Sequence, residues 1–235
     1  NAALRWLCLA QDVTEGGGVS GSFRLRHTGW GVDYPETSGY IMTSFLAAAR
    51  MNYGESYRER AERIAVWEMD IQTANGGVYS DEHHPNTRVF NTGQVLLGWL
   101  DYLELTDDER MTTAAIRAGD YLCEMQEPDG AWVKDTYCGA RTYEARVDWA
   151  LLRLYMATGQ QRYFEIARRN LCWVIGNQDR KTGWFKNCGF HDELPNTHVI
   201  AYTFRGLLEC GALELAELKD LGLVKINVAN KLWII

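Results

Sequence analysis

The sequence predicts an all-α protein, an α/α toroid of helical hairpins, on three observations. A short grammar recurs along the chain: Gln, a Gly-containing turn, then a bulky residue. The copies stand at a nearly fixed period. Each copy is followed by two helices of different character, one almost wholly apolar and one amphipathic. A period of this length marks a stacked or circular array of supersecondary units, each unable to bury its apolar face alone.

The four copies are Gln11 with Gly16-Gly17-Gly18-Val19, Gln72 with Gly76-Gly77-Val78-Tyr79, Gln126 with Gly130-Ala131-Trp132, and Gln178 with Gly183-Trp184-Phe185. The glutamines are 61, 54 and 52 residues apart. Ala61, Ala115 and Ala167 each stand eleven residues before their Gln. Around them, Arg63 to Trp67, Arg117 to Leu122 and Arg169 to Trp173 place apolar residues at helical spacing. Only Ala3 to Gln11 represents this helix in the first copy, so the chain is expected to start inside an outer helix and to be truncated at both ends. One domain over 1–235 is expected, with four clear hairpins and a partial one beginning after Gly211. The segment 212–235 does not match the repeat.

A second helix follows each turn. Its starts align as Pro35-Glu36-Thr37-Ser38, Phe90-Asn91-Thr92-Gly93, Tyr143-Glu144-Ala145-Arg146 and Asn196-Thr197-His198. The bodies are apolar on most sides: Tyr40 to Ala49, Val95 to Leu105, Trp149 to Ala157 and Val199 to Leu208. A helix apolar all round is buried all round. These are therefore the inner helices, and the Arg- and Glu-rich ones form the outer layer. Asn52-Tyr-Gly54, Thr106-Asp-Asp108 and Thr158-Gly159 carry the turn chemistry that closes each hairpin.

Composition bounds the function. The 235 residues carry 24 Lys+Arg against 31 Asp+Glu, a net charge of −7. A nucleic-acid groove needs a basic stripe, so no nucleic-acid partner is expected. No apolar run is long enough to span a membrane, and the N-terminus lacks a signal-peptide layout, which points to a cytoplasmic location. None of the six cysteines forms a C-x-x-C pair. Cys8, Cys123, Cys172 and Cys210 lie in helix patterns, and all six are expected to be free thiols. His83-His84 reads as a surface loop, since adjacent histidines are poorly spaced for one ion. No metal and no cofactor are expected, and the oligomeric state stays open.

Arg117-Ala118, Tyr121-Leu122 and Gln126-x-x-x-Gly130-x-Trp132 resemble the QW motif of squalene-hopene and related triterpene cyclases. That resemblance implies the toroid and says little about chemistry. The Asp-x-Asp-Asp cluster that protonates an alkene in acid-initiated cyclisation does not occur in the sequence, which disfavours a terpenoid or prenyl enzyme. Residues from about 1 to 212 resemble more closely the VpsJ-like toroid proteins of bacterial polysaccharide biosynthesis. Gly29-Trp30, Tyr34 to Tyr40, Phe90 to Val95, Arg146 to Ala150, Gly183 to Phe185 and Thr197 to Tyr202 carry this resemblance. A more distant similarity extends to the helical domains of uronyl C5-epimerases and to six-hairpin glycosidases. What these resemblances imply is a protein that acts on or binds an acidic oligosaccharide or polysaccharide, or its precursor.

The repeat separates scaffold from site. Glu36, Asn91, Glu144 and Asn196 occupy one aligned position, where a cap or a first-turn carboxylate serves the helix. The inner-helix N-termini also converge on one mouth of a toroid, where carboxylates can act as acid and base. Two places on, Ser38, Gly93, Arg146 and His198 diverge, and Gln94 and Asp148 follow. Charged groups in apolar helices must be paired or face a wet cavity; an Arg146–Glu36 or Arg146–Asp148 ion pair is the structural alternative. Glu36, His198 and Tyr34 are the expected acid–base set. Arg146, Gln94 and Asn91 are expected to orient substrate, joined by Asp148, Tyr202, Trp30 and Trp184. Arg146 would hold a uronate carboxylate by a bidentate pair. Trp132 and Trp184 have a packing alternative, plugging neighbouring helices as in the QW motif. An epimerase, lyase or hydrolase fits this set, as does a glycan-binding or assembly protein without catalysis.

Overall fold

The computed structural model describes residues 2–26, 29–81, 84–190 and 196–220. Among the described residues, eight α-helices follow one another: α1 (Ala2–Asp12), α2 (Pro35–Arg50), α3 (Ser56–Asp70), α4 (Val89–Leu103), α5 (Glu109–Met125), α6 (Ala145–Thr158), α7 (Gln161–Gly176) and α8 (Thr197–Asp220). Helix α2 packs on α4, α4 on α6 and α6 on α8, which makes the inner wall. Helices α3, α5 and α7 each pack behind the inner helix that precedes them. The chain is an α/α toroid of helical hairpins, with all the Gly-containing turns on the side of the inner-helix N-termini. Two short hairpins, β1 (Phe23–Arg24) with β2 (Gly29–Trp30) and β3 (Tyr79–Asp81) with β4 (His84–Thr87), decorate the first two turns.

The recurring Gln has a structural cause. Gln11 Nε2 donates to the Gly17 carbonyl of its own turn and to the Arg60 carbonyl of the next outer helix, both at 3.0 Å. Gln72 repeats this with Gly76 and Ala114, both at 2.9 Å, and Gln126 reaches Ile166 O at 2.9 Å. Each carbonyl reached belongs to the residue before the repeated alanine. Ala61, Ala115 and Ala167 are buried, so the approach leaves room only for a methyl group. The turn glycine leans on the same helix two residues further on. A Cβ on Gly76, at φ +91°, would stand 2.2 Å from Arg117 O, and one on Gly130, at φ +95°, 2.6 Å from Arg169 O. The bulky residue then bridges back to its Gln, as Val78 to Gln72, Trp132 to Gln126 and Phe185 to Gln178. Trp132 is buried, its indole N–H donating to Leu122 O at 3.0 Å.

Several boundaries follow the expected chemistry. Asp108 caps α5, its Oδ1 accepting from the N–H groups of Arg110 and Met111 at 2.9 and 3.3 Å. Gly159 ends α6 at φ +69°, and Asn52 and Gly54 turn with positive φ after α2. The fifth hairpin is expected to begin after Gly211, but no turn interrupts the helix there. Gly211 lies inside α8, which runs unbroken to Asp220; an isolated helical glycine costs only about 1 kcal/mol. All six cysteines are free thiols. The tail 221–235, His83 and His191 lie outside the described residues.

The alignment of inner-helix starts also shifts. Ser38 Oγ accepts from Val19 N at 2.9 Å and donates to Tyr34 O. Thr92 Oγ1 makes the same pair of bonds with Val78 N, at 2.9 Å, and Arg88 O. Ser38 and Thr92 are therefore equivalent, so Glu36 corresponds to Phe90 rather than to Asn91. Asn196 alone of the aligned set caps its helix by side chain, accepting from His198 N at 3.0 Å.

Candidate active site

The start of α2 brings a carboxyl group to the mouth of the inner wall. Pro35 occupies the first helical turn, where its absent N–H costs nothing, and Glu36 follows it. One turn later Tyr40 donates its hydroxyl proton to Glu36 Oε1 at 3.0 Å. A cavity of about 360 Å³ opens there, walled by Tyr34, Glu36, Phe90, Tyr137, Tyr143 and Tyr202, with His198 at its edge. The walls are largely aromatic. Phe90 meets Tyr202 and Tyr143, each with ring centroids 5.3 Å apart, and His198 stands edge-on to Tyr202 at 4.3 Å.

Burial in this aromatic setting pushes the Glu36 pKa up to about 7, against the opposing pull of the Tyr40 hydrogen bond and the Arg146 charge. Glu144, fully buried just before α6, is pushed to about 8 by burial and then by the charge of Glu36. Neither Glu144 oxygen meets a hydrogen-bonding group among the described residues. The two carboxyls are in electrostatic contact, and only Glu36 lines the cavity.

Tyr34 and Tyr137 join hydroxyl to hydroxyl across the rim. Tyr137 also donates to Asn91 Oδ1 at 2.9 Å, and Asn91 Nδ2 donates to Tyr79 O at 3.2 Å. Burial raises the Tyr34 pKa well above its ordinary value, so its hydroxyl stays protonated. Asn91 is itself buried and acts on the rim through Tyr137.

A second cavity, of about 400 Å³, lies beside the first on the concave face. Arg146, Gln94, Tyr40 and Tyr202 border it, and Tyr202 belongs to both. Arg146 Nε donates to Gln94 Oε1 at 2.9 Å. Its guanidinium carbon lies 5.0 and 4.9 Å from the ring centroids of Tyr40 and Tyr202. Glu36, Tyr34, His198 and Tyr202 thus come together, while Arg146 and Gln94 fall behind the tyrosine wall.

Three expected site residues are elsewhere. Trp30 packs into an aromatic cluster with Trp6 and Phe23, at 4.7 and 5.0 Å, because β2 lays it against α1. Trp184 sits half-exposed on the α7–α8 turn and borders neither cavity; Phe185 takes the plugging position instead. Asp148 is wholly buried in α6, with no surface for a glycan.

Tyr40 and Tyr137 complete the mouth without having been singled out. Tyr40 was within reach, since Glu36 and Tyr40 are four residues apart, the spacing of facing helical side chains. Tyr137 lies in a loop that the repeat brings to the mouth, but its partner Tyr34 is 103 residues away. A larger groove of about 810 Å³ runs between α1 and α3, but its Arg60 is already paired with Asp12 at 2.8 Å. Among the described residues, no group of three or more His, Cys, Asp or Glu is placed to hold a metal ion, and no helix is long and apolar enough to cross a membrane.

Solved structures share this fold at low identity. A family 76 glycoside hydrolase from a bovine Bacteroides thetaiotaomicron strain superposes with a TM-score of 0.63 at 13% identity, covering 84% of this chain and 46% of its own. A family 88 glycosyl hydrolase from Bacteroides vulgatus gives 0.63 at 12% identity, covering 77% and 62%. A UGL variant with dGlcA-Glc-Rha-Glc gives 0.68 at 13%, covering 88% and 66%. The chain therefore spans about half to two-thirds of the length of these proteins. No curated protein matches the sequence. The model of the β-L-arabinofuranosidase GH127 catalytic domain matches residues 34–234, and the chain belongs to that family.

Proposed function

We propose that this domain cleaves a glycosidic bond of an oligosaccharide at the mouth cavity, with Glu36 as the proton donor. The observation that carries this reading is a carboxyl poised near pH 7 on the wall of an aromatic, sugar-sized cavity. A general acid works best with a pKa near the working pH. Glu36 gives its proton to the leaving oxygen as the bond to the anomeric carbon breaks. A water oxygen bonds to that carbon, and its proton passes to His198. Tyr34, held by Tyr137 and Asn91, supplies a hydroxyl for positioning. Membership of a glycoside hydrolase family supports hydrolysis over epimerase or lyase chemistry. Arg146, close enough to act on Glu36 through its charge, supports an acidic glycan as substrate.

The alternative is a glycan-binding domain without catalysis. It is favoured by the cavity having one carboxyl on its wall among the described residues, where paired-carboxylate hydrolysis needs two. The test is hydrolysis of a panel containing β-L-arabinofuranosides, mannooligosaccharides and uronate-bearing oligosaccharides. Glu36→Gln is expected to lower kcat by about 10²–10⁴-fold. Turnover unchanged in that variant would remove Glu36 as the proton donor, and no turnover by the parent protein with glycan binding retained would move the assignment to the second reading.

A further inference from the structure

The concave-face cavity has a composition that the mouth chemistry does not use. Three arginines border it, Arg146, Arg153 and Arg205, against one carboxylate, Asp101. Arg153 and Asp101 neutralise one another at 2.5 Å, and Glu104 adds a second bond to Arg153 at 2.8 Å. Two guanidinium groups remain. Arg205 reaches Glu209 only at 3.6 Å, one helical turn along α8, and Glu209 does not border the cavity.

Trp149 organises these two charges. The guanidinium carbons of Arg146 and Arg205 lie 5.7 and 5.4 Å from its ring centroid. Like charges so placed repel. Burial lowers the Arg146 pKa and the Arg205 charge adds to that, while Tyr40, Tyr202 and Glu36 pull it back. The fold maintains this repulsion with two helices: α6 supplies Arg146 and Trp149, and α8 supplies Arg205. An anion entering the cavity would relieve it, and guanidinium groups match planar oxyanions bidentately. Trp149 and Tyr202 add the aromatic surface on which a sugar ring stacks.

We infer that this second cavity is a recognition subsite for a sugar unit bearing an oxyanion, bound between Arg205 and Arg146 and against Trp149. Tyr202 is its common wall with the mouth cavity, so the two cavities are neighbours. The charged unit then lies beside the mouth cavity rather than at the reacting centre. This deepens the hydrolytic reading, but binding at the subsite does not require catalysis.

Calorimetric titration tests it with glucuronate, glucose 6-sulfate, glucose 6-phosphate and glucose as probes. At least one charged sugar should bind about tenfold or more tightly than glucose. Arg205→Met should remove that preference, with the melting temperature unchanged because the Arg205 side chain is 59% exposed. Arg205→Lys should restore part of it. The order among the three charged probes tells a carboxylate ligand from an ester. Glu36→Gln should keep the preference for the charged probe over glucose, so loss of turnover and loss of anion recognition are separable. Equal affinity for charged sugars and glucose, or an unaltered preference in Arg205→Met, would overturn the proposal.

Discussion

Replacing Glu36 by Gln should change stability in a pH-dependent way that a solvated carboxyl would not produce. The folded protein holds the Glu36 proton more tightly than the unfolded chain does, about 7 against an ordinary value near 4.5. A carboxyl shifted upward gives its stability in full below the unfolded value. It loses that contribution as pH rises through about 7. At 1.36 kcal/mol per pH unit, the shift corresponds to about 3 kcal/mol lost at pH 8. Gln carries no charge to desolvate, and its amide oxygen can still accept the Tyr40 hydroxyl bond. The variant should match the parent near pH 4 and exceed it at pH 8 by up to about 3 kcal/mol, a figure that already contains the opposing pull of the Arg146 charge. Urea unfolding followed by circular dichroism between pH 4 and 9 measures the difference directly. Parallel curves for the two proteins, or a variant weaker at pH 8, would refute the claim that Glu36 is a desolvated carboxyl.

Gly76→Ala combines positive φ with a Cβ driven into Arg117 O, so it should cost about 1–3 kcal/mol, whereas Gly159→Ala has positive φ but open space and should cost less; paired thermal melts compare them. Asp108→Ala removes the cap of α5 and should lower stability by about 1 kcal/mol in urea titration.

The repeat was legible because its cause is local and recurs. A Gln that clasps the next outer helix, a glycine that lies against it and an alanine that makes room must all be present at each joint. Their spacing therefore survives in the sequence. The mouth was partly legible, since Glu36, Tyr34 and His198 sit at or just before an inner-helix start and Tyr202 lies one turn after His198, and helix starts can be found. Arg146 and Gln94 border the second cavity and not the mouth, because the direction of a long side chain depends on the tyrosines beside it. Trp30 and Trp184 misled for a different reason. An indole in a loop has the same composition whether it faces ligand or neighbour, and only the pairing of β1 with β2, or the slip of the plug from Trp184 to Phe185, decides. The one-residue offset between the first two inner helices came from matching Glu36 to Asn91 by polarity, when the hydroxyls of Ser38 and Thr92 are the groups with a shared duty.

The joints have a consequence for how the chain acquires its structure. Each Gln clasp spans 40 to 49 residues, and each inner helix packs on the inner helix of the adjoining hairpin. Every joint needs only one newly made hairpin and its predecessor, so a folded front can advance along the nascent chain as synthesis proceeds. Topologies built from such near-sequence contacts fold quickly, and N-terminal units fold first during synthesis. Cleavage of a stalled ribosomal intermediate by protease should then give protected fragments that lengthen by one hairpin at a time.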